Sequence, residues 1–387
     1  METPGYTTTM EHIDLSAAYR HFIPETASLT RKTLEACDEL NKMRREMKTA
    51  LDQKSELLPH RQAAREILVK YYWQLTSPPI SHGKARIEAK WSDSQKLSRK
   101  AAKDSSGLLE VVNVLFNIGA SSAAIAALLF NSPNRPDRLQ SAKRHFEEAA
   151  GAFEEVLRLL EEDAGRRLSH DSLNLDLRPL ALHGMRGVML AYAVRCFYEK
   201  AQGEKKTAAV LAKLAHQVVV SYAAAASRLQ EAVRSKGGLE TLCARWHAYI
   251  DLERSYYEAR AHVHAADGCP LSLASAQAGH LARAEALLAS LHHASLQPAR
   301  KLNGAGVLLA AHRPRLQYEL QELRRRKEVL EKDLKNLVYG VQEPVDPSTL
   351  PLPEPSSLKV EPKPIAEAFP PQHAAAAAGG GGGGGLL

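Results

Sequence analysis

Apolar residues recur at helical spacing along most of this chain. Residues 111–126 form a long apolar run interrupted only by Asn113, Asn117 and small side chains, a pattern typical of a helix buried on every side. Closer to the N-terminus, residues 34–58 predict an amphipathic helix, because side chains three and four positions apart share one face. The apolar face of that helix carries Leu40, Met43, Met47 and Leu51.

A second helix is predicted over residues 61–75. It should end before the proline pair at 78–79, because proline lacks an amide hydrogen and disfavours helix in the residue before it. Residues 87–91 then alternate apolar and charged side chains, which is a weak strand signal. The N-terminal part of the chain is therefore predicted to be helical with one small β element.

Helical patterns continue from Leu108 to Leu337, separated by stretches rich in Asn, Gly and Pro. Small residues dominate their apolar faces, which lets neighbouring helices pack closely. No 34-residue repeat with its signature residues is present, which argues against a regular solenoid. The sequence predicts a mainly α-helical array of irregular repeats.

The last of these helices has leucines at spacings of four and three residues. This pattern fits a coiled-coil seam of about three heptads, and it also fits a terminal helix docked on its own domain. The sequence alone leaves both interpretations open. The leucines are Leu316, Leu320, Leu323, Leu330, Leu334 and Leu337.

The composition changes after residue 340. Nine prolines lie between Pro344 and Pro371, followed by five alanines and seven glycines. Such a segment has too few apolar side chains to offset the entropy lost on ordering. The chain is therefore divided into a helical domain over residues 1–343 and an extended or disordered tail over residues 344–387.

Overall composition supports a helical protein and leaves its partner open. Of the 387 residues, 44% are hydrophobic and 6% aromatic. The net charge of +7 suits an acidic protein, an anionic membrane surface or nucleic acid, and the excess is too small to choose among them. No recognition helix, RNA-binding signature or interleaved basic and aromatic surface can be identified, which argues against nucleic acid.

Residues 84–103, here called the basic segment, contain seven basic residues against Glu88 and Asp93. A charge run of this kind is usually a solvated face, and contact with an anionic lipid or an acidic peptide is the alternative interpretation. The seven basic residues are Lys84, Arg86, Lys90, Lys96, Arg99, Lys100 and Lys103.

No residue pattern indicates catalysis, a cofactor or a metal. His262, His264 and Cys269 lie close in sequence but lack an identifiable fourth ligand. Paired glutamates at 147–148, 154–155 and 161–162 recur every seven residues, which predicts a solvated helix face. Nucleophile elbow, phosphate loop and His-containing triad patterns are absent from the sequence. We therefore expect a non-enzymatic binding protein without cofactor or metal.

Cysteine usage and hydropathy bear on location. The four cysteines are widely separated, which suits reduced thiols in a cytosolic protein. No window reaches the roughly 18 continuous apolar residues of a membrane span. Any membrane contact is therefore expected to be peripheral.

Several short segments resemble, in order, the BRO (Bro-one) domain of the Alix family. They are YYWQL at 71–75, IEAKW at 87–91, VLFNIGA at 114–120, AAGAF at 149–153, AKLAHQ at 212–217 and KNLVYGVQEPVDPSTL at 335–350. The resemblance implies a boomerang-shaped helical array with a tetratricopeptide-like core and a small β element near the N-terminus. It also implies that the domain continues as a pinned extended segment to about residue 365.

The same resemblance implies a function. Family members receive the amphipathic C-terminal helix of an ESCRT-III subunit of the Snf-seven type on a concave hydrophobic patch, in endosomal sorting. Matching residues 190–217 to the family pattern places that patch on Phe197, Val210 and Leu214, here called the apolar patch, with Lys200 and Lys213 as rim charges. The chain departs from the family at Val194 and Arg195, where Gln and Glu are usual. The expected location is cytoplasmic, with peripheral recruitment to endosomal membranes.

Helical periodicity gives an independent view of the patch. At about 100° per residue, Leu211 and Tyr222 belong to a core stripe, while Leu214 and Val210 lie on its shoulder. Such a shoulder is either an exposed interaction site or is covered by a further helix. Basic residues outnumber acidic ones between 195 and 213, which suits an acidic partner helix. The alternative function is a helical scaffold that binds anionic membrane through the basic segment.

Overall fold

The structure, a computed structural model, describes most of the helical region and part of the C-terminal segment. Residues 1–30 and 372–387 lie outside the described residues, as do several connections between helices. The described residues are 31–52, 57–76, 89–91, 102–104, 107–132, 136–162, 168, 173–235, 239–270, 273–297, 306–337 and 345–371.

Helices dominate the described residues, and each long helix packs mainly against the next one in sequence. This consecutive packing confirms the predicted mainly helical array. A short 3-10 turn at Leu175–Leu177 precedes α5. The helices are α1 (Arg31–Asp52), α2 (Leu58–Leu75), α3 (Leu108–Asn131), α4 (Pro136–Glu161), α5 (Pro179–Gly203), α6 (Ala208–Val233), α7 (Leu239–Gly268), α8 (Ala274–Ser295), α9 (Gly306–Leu337) and α10 (Ile365–Ala368).

The first two helices are present, with other bounds than the prediction gave. The helix predicted over residues 34–58 ends at Asp52, and Leu58 is the first residue of α2. Leu40, Met43 and Met47 are buried on one face of α1, as predicted, and the side chain of Leu51 is outside the described residues. α2 starts three residues before the predicted Arg61, because proline is tolerated in the first turn of a helix, where its missing amide hydrogen has no partner.

α3 is the buried centre of the larger core, as its apolar run predicts. The side-chain amide nitrogens of its two asparagines donate to backbone carbonyls one turn earlier on the same helix. Asn113 Nδ2 donates to the carbonyl of Leu109 at 2.7 Å, and Asn117 Nδ2 donates to the carbonyl of Asn113 at 2.8 Å. Asn174, just before α5, donates to Asn113 Oδ1 at 2.8 Å and ties α3 to the following layer.

A buried carboxylate joins four elements around the start of α3. Glu110 is fully buried and accepts hydrogen bonds from Arg44 Nε in α1 and Tyr71 Oη in α2, both at 2.8 Å. The indole N–H of Trp91 donates to its other oxygen at 2.7 Å. Burial raises the pKa of the Tyr71 hydroxyl well above its usual value, with the Glu110 charge adding to the effect. The buried charge of Glu110 is thus compensated by an arginine and by hydrogen bonds from two aromatic side chains.

One short antiparallel strand pair lies between α2 and α3 in the described residues. Strand β1 (Ala89–Trp91) pairs with β2 (Ala102–Asp104), and Trp91 buries its whole side chain against the core. Residues 87 and 88 of the predicted β element lie outside the described residues. The Cα partners are Ala89 with Asp104, Lys90 with Lys103 and Trp91 with Ala102.

The leucine stripe of α9 packs inside the domain. Leu316, Leu320 and Leu323 are buried in a second core cluster formed with α7 and α8. The side chains of Leu334 and Leu337 are outside the described residues. Docking on its own domain therefore accounts for the described part of the stripe without a coiled coil.

Residues 345–371, here called the strap, cross the helices with no regular secondary structure except a turn at residues 347–349 and the short α10. The strap buries Ile365 and packs Leu352 and Val360 against the larger core. Its backbone also bonds to the helices: the amide of Ser356 donates to the Lys213 carbonyl at 3.2 Å, and His216 Nδ1 lies 2.7 Å from the Pro353 carbonyl.

Gly151 of α4 allows the strap to lie close against that helix. A Cβ on Gly151 would lie 1.8 Å from the carbonyl oxygen of Lys363, so no larger residue fits there with the strap in place. One turn earlier, the Lys363 amide donates to the Glu147 carbonyl at 3.0 Å. Beyond α10, the carbonyl of Phe369 accepts from the Trp73 indole at 2.9 Å, which fixes the strap to α2.

Two described helices are long and apolar enough to cross a membrane by length and composition alone, α3 and α6. The apolar window of α3 is 83% buried, as in the core helix of a folded domain. The window of α6 is 33% buried, and its buried side chains form one face. Both helices therefore have protein partners on their most apolar surfaces.

Candidate partner-binding surface

The helices α5 and α6, which carry the apolar patch, are joined by a tight turn. α5 begins with Pro179 in its first turn, a position where the missing amide hydrogen has no partner to lose. At the far end, Lys205 adopts the left-handed region with φ 53°, and the amide of Lys206 donates to the Ala201 carbonyl at 3.0 Å. The turn brings the end of α5 beside the start of α6.

An aromatic contact sets the register between α5 and α6. Tyr192 meets Tyr222 edge-on, with ring centroids 6.1 Å apart. Phe197 lies between this contact and the turn, so it falls at the level of the first half of α6. Val210 and Leu214 occupy that half. The antiparallel pairing therefore brings the three patch residues to the same end of the helix pair.

The patch side chains differ in exposure. Val210 is 42% exposed. Leu214 is half-buried and touches the edge of the larger core, and Phe197 is half-buried. Leu211 and Tyr222, on the core stripe, are buried. The structure thus places Leu214 and Val210 on the shoulder of α6 with no further described helix covering them completely.

A third helix contributes to the patch. Lys143 of α4 places its Nζ over the Phe197 ring, 5.1 Å from the centroid. The same Nζ lies 2.9 Å from Glu147 Oε1, one turn further along α4. The Lys143 and Glu147 side chains are only 19% and 15% exposed. The periodicity of α5 and α6 gives no sign of this contact, and the lysine–glutamate spacing of four residues on α4 was the only local signal.

The rim charges predicted from the sequence lie near the patch and face water. Lys200 Nζ is 3.9 Å from Glu204 Oε1, and Lys206 shares that carboxylate at 3.4 Å. The Lys213 side chain is exposed, while its carbonyl accepts the Ser356 amide of the strap. The same end of the α5–α6 pair therefore carries Lys200, Lys206 and Lys213 together with the patch residues.

Arg195, one of the departures from the family pattern, is buried behind the patch. Its Nη1 donates to Glu253 Oε2 of α7 at 2.8 Å, and its guanidinium lies over the rings of Phe130 and Tyr257. Burial alone would lower the pKa of Arg195, but the Glu253 charge and nearby tyrosine oxygens outweigh it and raise the pKa. This arginine holds α5 to α7 and does not line the patch.

Comparison with known families decides the identity of the fold. A family model described as "BRO1-like domain" matches residues 6–378. The chain belongs to the BRO1-like domain family. The resemblance seen in the short segments is thereby confirmed.

Relatives of this BRO1-like domain are longer proteins. "ALG-2 interacting protein X" of Dictyostelium discoideum is 34% identical over 167 residues, which cover 42% of this chain and 20% of the relative. "Programmed cell death 6-interacting protein" of Xenopus laevis is 28% identical over 260 residues, 64% of this chain and 28% of the relative. "Vacuolar protein-sorting protein BRO1" of Gibberella zeae is 28% identical over 203 residues, 51% and 18% respectively. The matches thus span less than a third of each relative.

Solved structures share the fold of the BRO1-like domain. A chain titled "ALIX BRO1 CHMP4C complex" aligns over 96% of this chain and 97% of its own length, with TM-score 0.69 and 20% identity. A longer chain, from ALIX in complex with a SIVmac239 late-domain peptide, aligns over 95% of this chain and 51% of its own length, with TM-score 0.67 and 19% identity. At these identities the likeness concerns the fold.

The basic segment of the BRO1-like domain lies mostly outside the described residues. Lys90 and Lys103 fall in β1 and β2, where the strand register makes their Cα atoms partners. A contact of this segment with an anionic surface remains a prediction. The remaining five predicted residues, all outside the described residues, are Lys84, Arg86, Lys96, Arg99 and Lys100.

The histidines singled out in the sequence have protein partners. His262 Nδ1 lies 2.9 Å from His280 Nδ1 of α8, and His264 Nε2 lies 2.9 Å from the Tyr198 hydroxyl of α5. Burial lowers the pKa values of His262 and His264 to about 4. Within the described residues, no three His, Cys, Asp or Glu side chains are grouped to hold a metal ion.

The glutamate pairs of α4 correct one prediction. They were expected on a solvated face, yet Glu148 is buried. Its Oε2 accepts from Arg65 Nη1 of α2 at 3.1 Å and lies 2.6 Å from His145 Nδ1. A seven-residue period places side chains on one face but cannot tell which neighbouring helix covers part of it.

Proposed function

We propose that this BRO1-like domain is an adaptor that binds the amphipathic C-terminal helix of an ESCRT-III subunit of the Snf-seven type. The binding surface is the apolar patch of Phe197, Val210 and Leu214, with Lys200 and Lys213 at its rim. The observation that carries the proposal is that Val210 is 42% exposed and that Phe197 and Leu214 are only half-buried, at one end of the α5–α6 pair that also carries Lys200 and Lys213. The related fold in the ALIX BRO1 CHMP4C complex supports it.

The chemistry of the surface suits an amphipathic helix. Exposed apolar side chains next to one another gain free energy when a partner removes them from water. A helix that presents apolar residues on one stripe can cover Val210 and Leu214 together, while acidic residues beside the stripe meet the lysines. The proposal assigns the domain no catalytic step, cofactor or metal.

The proposed setting is the cytoplasmic face of endosomal membranes, with the domain recruited peripherally. Relatives named as vacuolar protein-sorting proteins support a role in endosomal sorting. Because the matches span less than a third of each relative's length, activities located elsewhere in those proteins are not carried over.

Val210→Asp tests the proposed surface. The substitution should weaken binding of an acidic amphipathic helical peptide about thirty-fold, equivalent to about 2 kcal/mol, because an anchor side chain is replaced by a charge that the partner must bury. Isothermal titration calorimetry would measure the affinity. The melting temperature should stay close to that of the wild type, since Val210 is 42% exposed.

Val220→Asp is the matched control for this test. Val220 lies on the same helix with the same 42% exposure, but nearly three turns from Val210 and beyond the level of Phe197. Its substitution should leave the peptide affinity within about two-fold of wild type. Equal loss of affinity in both variants, or in neither, would show that the apolar patch is not the binding surface.

The second candidate is a scaffold that binds anionic membrane through the basic segment. The observation in its favour is the register that sets Lys90 opposite Lys103 and so brings both ends of the segment together. Flotation with vesicles containing phosphatidylserine, compared with neutral vesicles, would test it. Retention on anionic vesicles that is unaffected by Val210→Asp and lost on neutralising Lys90 and Lys103 would favour this candidate.

A further inference from the structure

We propose that Lys143 sets the charge preference of the apolar patch, by selecting partner helices that carry a carboxylate beside their apolar stripe. This inference rests on the proposed function and deepens it. Lys143 is a specificity-determining residue on α4, a helix that the sequence match of residues 190–217 does not include. It acts through its position between the ring of Phe197 and the carboxylate of Glu147.

The geometry makes Lys143 a cap on one of the patch side chains. Its Nζ lies 5.1 Å from the Phe197 ring centroid, a distance at which an ammonium is attracted to the face of the ring. The same Nζ pairs with Glu147 Oε1 at 2.9 Å. Because the two side chains are only 19% and 15% exposed, this ion pair is already shielded from most of the solvent.

A partner that covers Phe197 must also cover this ammonium or displace it. A lysine ammonium has three N–H donors, and Glu147 engages one of them at short distance. An incoming apolar helix would strip water from the remaining donors and leave them without acceptors, which is unfavourable. A carboxylate on the partner accepts from those donors, so the same contact becomes favourable. The affinity for a partner helix therefore depends on whether it carries a negative charge at this position.

The other lysines near the patch should contribute less to the preference for an acidic partner. Lys213 is exposed, and Lys200 is more exposed than Lys143 and lies 3.9 Å from Glu204. Water and salt screen interactions at such exposed positions. Lys143 is the better placed discriminator because its side chain is less exposed to solvent, 19% against 36% for Lys200.

The backbone of α4 is also braced at this point. The Glu147 carbonyl accepts a hydrogen bond from the Lys363 amide of the strap at 3.0 Å, one turn before Gly151, where the strap lies close against α4. The strap therefore holds the helical turn whose carboxylate positions Lys143. A fixed cation discriminates better than a mobile one, because less entropy is lost when it engages a partner.

The test compares two synthetic amphipathic helical peptides that differ only in a Glu or a Gln beside the leucine stripe. Wild-type protein should bind the Glu peptide about ten-fold more tightly, a difference of about 1.4 kcal/mol. Lys143→Gln should reduce this ratio to near one. Lys143→Glu should invert the preference when the Glu peptide is compared with one carrying Lys at the same position.

Arg144→Gln is the control, because Arg144 is the adjacent cation on α4, 58% exposed and paired with Glu148 instead of Phe197. This variant should keep the wild-type ratio, and circular dichroism should show all variants folded. A preserved ten-fold ratio in Lys143→Gln would overturn the role of Lys143 and leave the proposed function standing. Failure of the wild type to bind either peptide would overturn both.

Discussion

At the residue scale, one buried acid organises the N-terminal junction of the domain. Glu110 accepts hydrogen bonds from Arg44, Tyr71 and Trp91, which belong to three different elements. Each donor is itself buried, so none can turn to water if the acid is removed. The network is therefore most sensitive to changes that leave a charge without its partner.

We predict that Glu110→Gln destabilises the fold by about 3–5 kcal/mol, because the Arg44 guanidinium then lies buried without a counter-charge. Urea denaturation followed by circular dichroism would measure the change. Glu155→Gln, which breaks a pair with the half-exposed Arg158, should cost less than about 1 kcal/mol. A near-neutral Glu110→Gln would show that water reaches Arg44.

At the scale of elements, the contacts between α5, α7 and α8 depend on neutral histidines. His264 meets Tyr198 of α5, and His262 meets His280 of α8. Burial holds the pKa values of His262 and His264 near 4, below the usual 6.5. The unfolded chain therefore binds more protons than the folded protein between these values, and stability falls as pH decreases through this range.

His264→Phe should reduce the pH dependence of stability. Between about pH 6.5 and pH 4 each such histidine contributes a slope of about 1.4 kcal/mol per pH unit, and the variant lacks one of them. Tyr198 still accepts from Arg260 Nε in the variant. Denaturation midpoints at pH 7.5, 6 and 5 would give the slope, and an unchanged slope would contradict the neutral-histidine interpretation.

Sequence patterns predict elements better than they predict what joins them. The apolar run of α3 and the stripe of α1 are visible because many residues repeat one period. Glu110 is a single polar residue at the edge of such a run and carries no periodic signal. Lys143 was missed for the same reason: its partner Phe197 lies on another helix, and only tertiary packing brings them together.

At the scale of the whole molecule, the strap connects helices that are remote in sequence. It contacts α6 at Lys213, α4 at Glu147 and α2 at Trp73. Its proline-rich composition predicts an extended segment, but composition says nothing about backbone hydrogen bonds to distant helices. The anchoring depends on Gly151, because a side chain there would collide with the Lys363 carbonyl oxygen. From the sequence of α4 alone, Gly151 is an ordinary small residue in a helix.

Gly151→Val should displace the strap, because a Cβ there would lie 1.8 Å from the Lys363 oxygen. We expect a lower melting temperature and new protease cleavage within residues 345–371. In the wild type the composition predicts cleavage in the tail, after about residues 340–371, and strap packing favours its later end. Gly203→Ala, with no atom within 4 Å of the added Cβ, is the control. Equal protease resistance of Gly151→Val and wild type would contradict a packed strap.

The bond between Trp73 and Phe369 joins positions 296 residues apart, and it has a consequence for the order of folding. A chain emerging from the ribosome makes its N-terminal contacts first, while contacts of high sequence separation carry the largest loop-closure entropy and form late. The Trp73 indole therefore lacks its Phe369 partner until the chain has been synthesised as far as Phe369. The strap, which is synthesised late, thus completes the packing of α2, which is synthesised early.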